Sequence, residues 1–264
     1  MSQIKRYLNI YSIHLQTGLA KDIGFRFSFV MAFAGSLIFI VLHFSVIYLV
    51  FQKFQIGKWT IKEMWILFGS FLIIYYGFFF LFWRGLIKMI RSIRDGKFDF
   101  TLLKPIDLQF TTALLGGGIH NLIAILFGIV IIVFGLSNLN IAFNGLTIVS
   151  TVLVYLLGIL DVYTLILILA TLNFKYGYIE EVLNFILGFQ DFSRYPMDAY
   201  SRLPLHMLLV AIPFSALSTI PTIILINPIF PINEMLIFTA VSVEFIFLGR
   251  YILFKAVRNY ASGS

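Results

Sequence analysis

The chain has 264 residues, 60% of them hydrophobic and only 12% charged, with no cysteine and a formal net charge of +7 at neutral pH. That much apolar surface exceeds what a soluble domain of this length could hide, and the missing thiols exclude disulfides and thiolate-based metal or redox chemistry. The basic residues flank apolar runs, as the positive-inside rule expects, so the charge does not point to nucleic acid.

At the N-terminus, Ile4, Leu8, Tyr11 and Leu15 recur at helical spacing, with Gln3, Lys5, Arg6, Asn9 and Gln16 mostly elsewhere on the wheel. The pattern over 2–20 predicts a basic amphipathic helix lying in the headgroup plane, the alternative being a frayed tail. Residues 1–22 are therefore set apart from a single membrane domain, 23–264. An α-helix crosses the hydrocarbon core in about 20 apolar residues. Runs of that length lie at 23–51, 63–86, 111–136, 146–172 and 234–256. Ala32-Phe33-Ala34 imitates a signal-peptidase site, but only five residues separate it from Arg26 and the run continues to Phe51. The first span is expected to stay in the chain.

Two segments compete for a sixth crossing. Residues 205–226 are unbroken and apolar, with Pro213 and Pro221; residues 176–194 have a shorter apolar centre, with Glu180, Glu181 and Asp191 towards the ends. Either choice predicts an all-α, six-span protein with both termini on one side. If 205–226 crosses, sixteen of the nineteen Lys and Arg share the termini's side and only Lys53, Lys58 and Lys62 oppose them. If 176–194 crosses, Arg194 and Arg202 change sides. Both counts place the termini in the cytoplasm.

The loop after the second span carries the most information. Arg84, Lys88 and Arg91 form one helical stripe, and Ile87, Ile90 and Ile93 a second. Asp95-Gly96 predicts a helix stop. Phe98, Phe100, Leu102 and Leu103 then bring bulky apolar groups next to Asp99, Lys104 and Asp107, with Pro105 fixing the backbone. Such groups on a loop call for a protein surface to cover them, or else they dip into the membrane interface.

Catalytic motifs are missing. No GxxxxGK[ST] loop occurs, and Gly57-Lys58 and Gly96-Lys97 lack its spacing and hydroxyl, so the chain has no phosphate cradle for ATP. The histidines at 14, 43, 120 and 206 never reach HExxH spacing. His120 follows Gly116-Gly117-Gly118, read as a close helix crossing or joint. Asp161 and Glu244 lie well inside spans, where each costs about 2.5–3.5 kcal/mol or more. They are expected to face protein or water, either as functional sites, as structural partners of Arg84 or Arg250, or simply as protonated acids. Trp59, Trp65, Tyr75 and Tyr76 read as interfacial aromatics.

The 84–107 loop resembles a signature of one branch of the type-2 ABC transporter permeases, an I-x-x-G-x-L-D-x-x-L-x-x-P pattern after the second span. Ile93, Gly96, Asp99, Leu102 or Leu103, and Pro105 match it, with Phe98 where leucine is commoner. Arg258-Asn259-Tyr260-Ala261-Ser262-Gly263 resembles the family's closing segment, and Tyr195-Pro196, Pro213 and Pro221 fall where the family places prolines. The likeness extends over nearly the whole chain.

The resemblance implies a non-catalytic permease subunit of an exporter in the plasma membrane of a bacterium, without cofactor or metal. It implies two partners besides membrane lipids: a second permease subunit, identical or related, and a separate ATP-binding-cassette ATPase subunit. The coupling loop would be at about 87–110, with Arg91, Arg94, Asp95, Gly96, Phe98, Asp99, Leu102, Leu103 and Pro105 engaging the ATPase. The 2–20 helix would be the family's interfacial connecting helix. The same likeness favours 176–194 as the fifth span, with 195–233 dipping back from outside. Two other classes stay open at this point: a proton-coupled secondary carrier using Asp161 or Glu244, and an integral membrane enzyme modifying lipids. The enzyme would need polar groups converging at one depth, and Asp161, Glu244 and His120 share no local motif.

Overall fold

A computed structural model describes residues 3–24, 26–54, 57–113, 118–139, 145–177, 180–227 and 231–260. Regular structure among these residues is entirely helical. The chain opens with α1 (Gln3–Gly24), α2 (Arg26–Lys53) and α3 (Ile61–Phe78), which continues through a π-turn (Phe79–Trp83) into α4 (Arg84–Arg94). Two short helices follow, α5 (Asp99–Leu102) and α6 (Leu108–Ala113), then α7 (Ile119–Ser137), α8 (Gly145–Thr171) and α9 (Asn173–Tyr176). The last third holds α10 (Glu180–Leu187), two 3₁₀ turns (Gly188–Arg194 and Met197–Tyr200), α11 (Leu205–Ile226) and α12 (Ile232–Arg258).

Among the described residues five continuous helices are long and apolar enough to cross a membrane: Val30–Lys53, Ile61–Arg94, His120–Ser137, Gly145–Tyr176 and Ile232–Arg258. A shorter apolar stretch, Phe214–Ile226, accompanies them. The protein is an all-α, multi-pass membrane protein. These spans match the expected runs. At the third, however, α6 ends at Ala113, and the glycines at 116 and 117 lie outside the described residues.

The α3–α4 helix organises the bundle. Thr60 starts it with a capping box: its Oγ1 accepts from the Glu63 amide, while Glu63 Oε2 accepts from the Thr60 amide at 2.7 Å. With 34 residues it is about 50 Å long at ~1.5 Å per residue. That exceeds the ~30 Å hydrocarbon core, and α4 carries the surplus beyond it. Met64, Phe68, Phe71, Tyr75 and Phe78 are buried along its membrane part, packed among α7, α8 and α11. The approach to α7 is set by two glycines: a Cβ on Gly69 would sit 2.7 Å from the Gly128 carbonyl oxygen, and one on Gly128 2.8 Å from that of Gly69. Small residues let helix backbones touch, which matters where lipid offers no hydrophobic drive to association. Tyr75 is thus a core residue rather than an interfacial one; it is 1% exposed, and its hydroxyl accepts from Ser193.

The contested region touches both ends of the bundle. At the α4 end, Asn173 Nδ2 donates to the Ile90 carbonyl at 2.8 Å. At the opposite end, beside the α2–α3 turn, Trp59 Nε1 donates to Asp198 Oδ2 at 3.1 Å. Between residues 173 and 198 the chain therefore travels the length of the bundle. α11 then runs antiparallel to α3, pairing Thr222 with Ser70 at 3.1 Å and packing Leu225 on Ile66. Its C-terminus comes back to the Trp59 end. The path through 180–198 is a broken one, eight residues of α-helix and then 3₁₀ geometry from Gly188, where the expectation was one continuous span. Arg194 consequently belongs to neither side's charge count. It lies midway along the bundle, its guanidinium 5.0 Å from the Phe39 ring and 5.3 Å from that of Phe71.

Candidate functional site

The loop after α4 forms a small hook built on a Schellman turn. The Lys97 amide donates to the Ser92 carbonyl at 2.8 Å and the Gly96 amide to that of Ile93 at 3.2 Å. This closure needs the left-handed backbone that Gly96 supplies, with φ of +66°. The chain then reverses into α5. Of the two stripes read from α4, Ile90 and Ile93 are buried while Lys88 and Arg91 are exposed, as their spacing requires.

The apolar residues of the hook divide into two sets. Phe100, Leu102 and Leu103 face outward, at 70%, 39% and 79% exposure. Phe98 does not share that face. It is completely buried and meets Phe174 and Tyr260 edge-on, with ring centroids 5.1 and 5.8 Å away; Phe174 and Tyr260 are 5.4 Å apart. Each such pair adds about 0.5–1.5 kcal/mol beyond area burial in soluble proteins. Arg94, Asp95, Gly96 and Pro105 are exposed, and Asp99 is half-buried. The Arg94–Asp95 pair, at 3.4 Å with both side chains nearly half exposed, fixes little.

Three further ties hold the base of the hook. Arg6 donates to the Pro105 carbonyl at 3.4 Å, and the Asp107 amide donates to the Tyr7 hydroxyl at 3.2 Å. Arg250 on α12 pairs with Asp107 at 2.8 Å and donates to Gln109 Oε1 at 2.8 Å. Burial alone would raise the Asp107 carboxyl, but the Arg250 hydrogen bond and the Phe110 amide outweigh it and hold the group below its ordinary value. Among the sequence-derived features, the hook signature and the closing Tyr260 come together; Tyr260 packs on Phe98. Phe174 and Asn173 were not singled out beforehand. Their position just past a predicted span was the available signal.

The intramembrane acids do not come together. Ser242 donates to Asp161 Oδ2 at 2.6 Å, joining α8 to α12, so the partner is a hydroxyl rather than Arg84 or Arg250. Glu244 lies on the exposed face of α12. Neither lines the large cavity, of about 610 Å³, that separates α2 from α3. Gly35 and Ser36 form one wall, Phe71, Tyr76 and Trp83 another, and His120, Asn121 and Gln190 supply polar groups. Its size is that of a small-molecule site. Arg194 packs against Phe39 and Phe71 of the same walls, hydrogen-bonds His43 and pairs with Asp191 at 2.6 Å. This cation was missed because positive-inside counting treats every Arg as a loop residue. Among the described residues no group of acids and histidines is arranged to hold a metal ion.

A multi-span helical bundle with an apolar hook at one end and no nucleotide cradle of its own fits the membrane component of a transporter. The family model described as "ABC-2 family transporter protein" matches residues 34–264. The chain belongs to that family and is a membrane permease component of an ABC transporter. No curated protein matches it.

Proposed function

We propose that this chain is the non-catalytic permease subunit of an ATP-driven exporter, worked by a separate ATPase subunit through the loop at about 87–110. Residues 1–22 are its interfacial helix and 23–264 its single transmembrane domain, with 195–233 re-entrant from outside and both termini cytoplasmic in a bacterial plasma membrane. A second permease subunit, identical or related, supplies the other half of the pathway.

The observation that carries this reading is the two-sided hook. Phe100, Leu102 and Leu103 offer an apolar surface to a partner, while Phe98 anchors the same segment to the bundle. Force applied to the exposed side reaches α9 through Phe174, the C-terminal segment through Tyr260 and α12 through the Asp107–Arg250 pair. It also enters the α3–α4 helix directly, because Ile61–Arg94 is continuous to the far end of the bundle. The cavity between α2 and α3 lies beside that lever, and the π-turn residues Phe79 and Trp83 line it. π-turns inside α-helices are frequent at functional sites.

Reconstitution tests the reading. The purified chain alone in liposomes moves no solute, and movement begins only with the ATPase subunit and ATP. Transport by the isolated chain would overturn it.

A further inference from the structure

A second, smaller cavity of about 100 Å³ lies where α1, α4 and the base of the hook meet. Its walls include Ile10 and His14 from α1, Lys88 and Ser92 from α4, and Thr101 and Lys104 from the hook. Three basic side chains from three separate elements thus converge on one concavity. Among the described residues no carboxylate pairs with Lys88, Lys104 or His14, whereas Arg94, Arg194 and Arg250 all have one. The positive field is felt locally: burial, then Lys88, then Lys104, push the His14 imidazole below its ordinary value.

The volume is about three times the ~30 Å³ share of one water in the liquid. That suits a compact oxyanion and is far below the 300 Å³ or more of a typical organic-ligand pocket. The site is also placed at the membrane surface. α1 is held against the hook by Arg6 on the Pro105 carbonyl, by Tyr7 on the Asp107 amide and by the Tyr7–Phe110 ring contact at 4.6 Å. The apolar stripe beside that contact, to which Leu8 belongs, leaves Leu8 62% exposed. That side chain suits the acyl boundary, so the cavity opens at headgroup depth.

We propose that the α1–α4–hook cavity binds a phosphate group, with Lys88 and Lys104 as the charge partners and His14 as a hydrogen-bonding group. The chemistry is shared by two sources, the headgroup of an anionic phospholipid and a free phosphate. Occupancy would link α1 to the hook through a common anion and so stiffen the base on which the outward-facing residues stand. The proposal rests on the interfacial placement of α1 and not on the ATPase partnership, so either can fail alone.

The test uses the full-length chain in a neutral detergent, titrated separately with short-chain phosphatidylglycerol, short-chain phosphatidylcholine and inorganic phosphate, and read as ligand-induced thermal stabilisation. Phosphatidylglycerol should stabilise the wild type at concentrations where phosphatidylcholine does not. The Lys88→Gln/Lys104→Gln double variant should need about tenfold more of it or beyond, given the contribution of two basic groups near an anionic surface. Lys88→Arg/Lys104→Arg, which keeps the charge, should retain binding, and Lys53→Gln/Lys58→Gln, with the same charge loss at the other end, should behave as wild type. If inorganic phosphate reproduces the stabilisation and competes, the source is the free anion; if it does neither while phosphatidylglycerol binds, the source is lipid. Equal stabilisation by both lipids with no effect of phosphate overturns the proposal. So does an equal loss in the Lys53/Lys58 control.

Discussion

Phe98 and Phe100 differ by two positions and face opposite ways, and that division defines the hook. Phe98 fills the space between Phe174 and Tyr260. Its replacement by Ala should cost about 3–5 kcal/mol, the usual range for a buried Phe in a soluble core, and should appear as a lowered melting temperature of the purified protein. Phe100→Ala, at a 70% exposed site, should leave that temperature within error while weakening retention of the ATPase. Equal melting losses for the two would show that the hook is not anchored as described. Asp161 plays a local part, accepting from Ser242 between α8 and α12. Asp161→Asn keeps an acceptor there, so assembly and transport should both survive; normal assembly with abolished transport would place Asp161 on the pathway instead. Asp107 makes stability depend on acid. Its carboxyl is held below its ordinary value of 3.8, so the stabilisation from the Arg250 contact is fully present above about pH 4 and is lost as pH falls through the lower folded value. Wild type should melt above Asp107→Asn at pH 7 and converge with it below that value. A gap that persists in strong acid would contradict the assignment.

At the scale of elements, close backbone contacts decide which helices can move together. A Cβ on Gly85 would fall 2.4 Å from the carbonyl oxygens of both Thr112 and Ala113, so α4 and α6 touch backbone to backbone. Gly85→Ala must push α6 away, and should lower both thermal stability and transport, measured on reconstituted complex; a silent substitution would mean the contact is not held. Whether the broken path at 180–198 crosses the membrane has a clean assay, because the chain contains no cysteine. A cysteine at Ser201, which is exposed and three residues from the Trp59-bonded Asp198, should react with an impermeant maleimide from outside intact cells. Protection there, with labelling from inside, would restore 205–226 as the crossing. The long spans were legible because about 20 apolar residues in a row have few other fates. The region 176–226 was not, since hydropathy measures average apolarity. It cannot register that the Ser193, Ser218 and Thr222 hydroxyls donate to the Phe214, Ser193 and Ser218 carbonyls inside the bundle.

For the whole molecule, the hook was legible in outline: Gly96 marked the turn, and the apolar cluster marked the segment that leaves Phe100, Leu102 and Leu103 exposed. What sequence could not supply was the third dimension. Phe98 and Phe100 look alike in the chain, and only the packing of Phe174 and Tyr260 separates anchor from contact. Lys88 and Lys104 likewise reveal their shared cavity only once α1 closes over it. The central claim, that a passive membrane subunit is driven through its hook, is tested most directly by isolating tagged wild-type and Phe100→Asp/Leu103→Asp chains from native membranes in gentle detergent and measuring ATP hydrolysis in each preparation. The account predicts hydrolysis with the wild type and its loss in the variant, at unchanged melting temperature. Equal hydrolysis in the two, or none in either while the chain alone still moves solute, would contradict it.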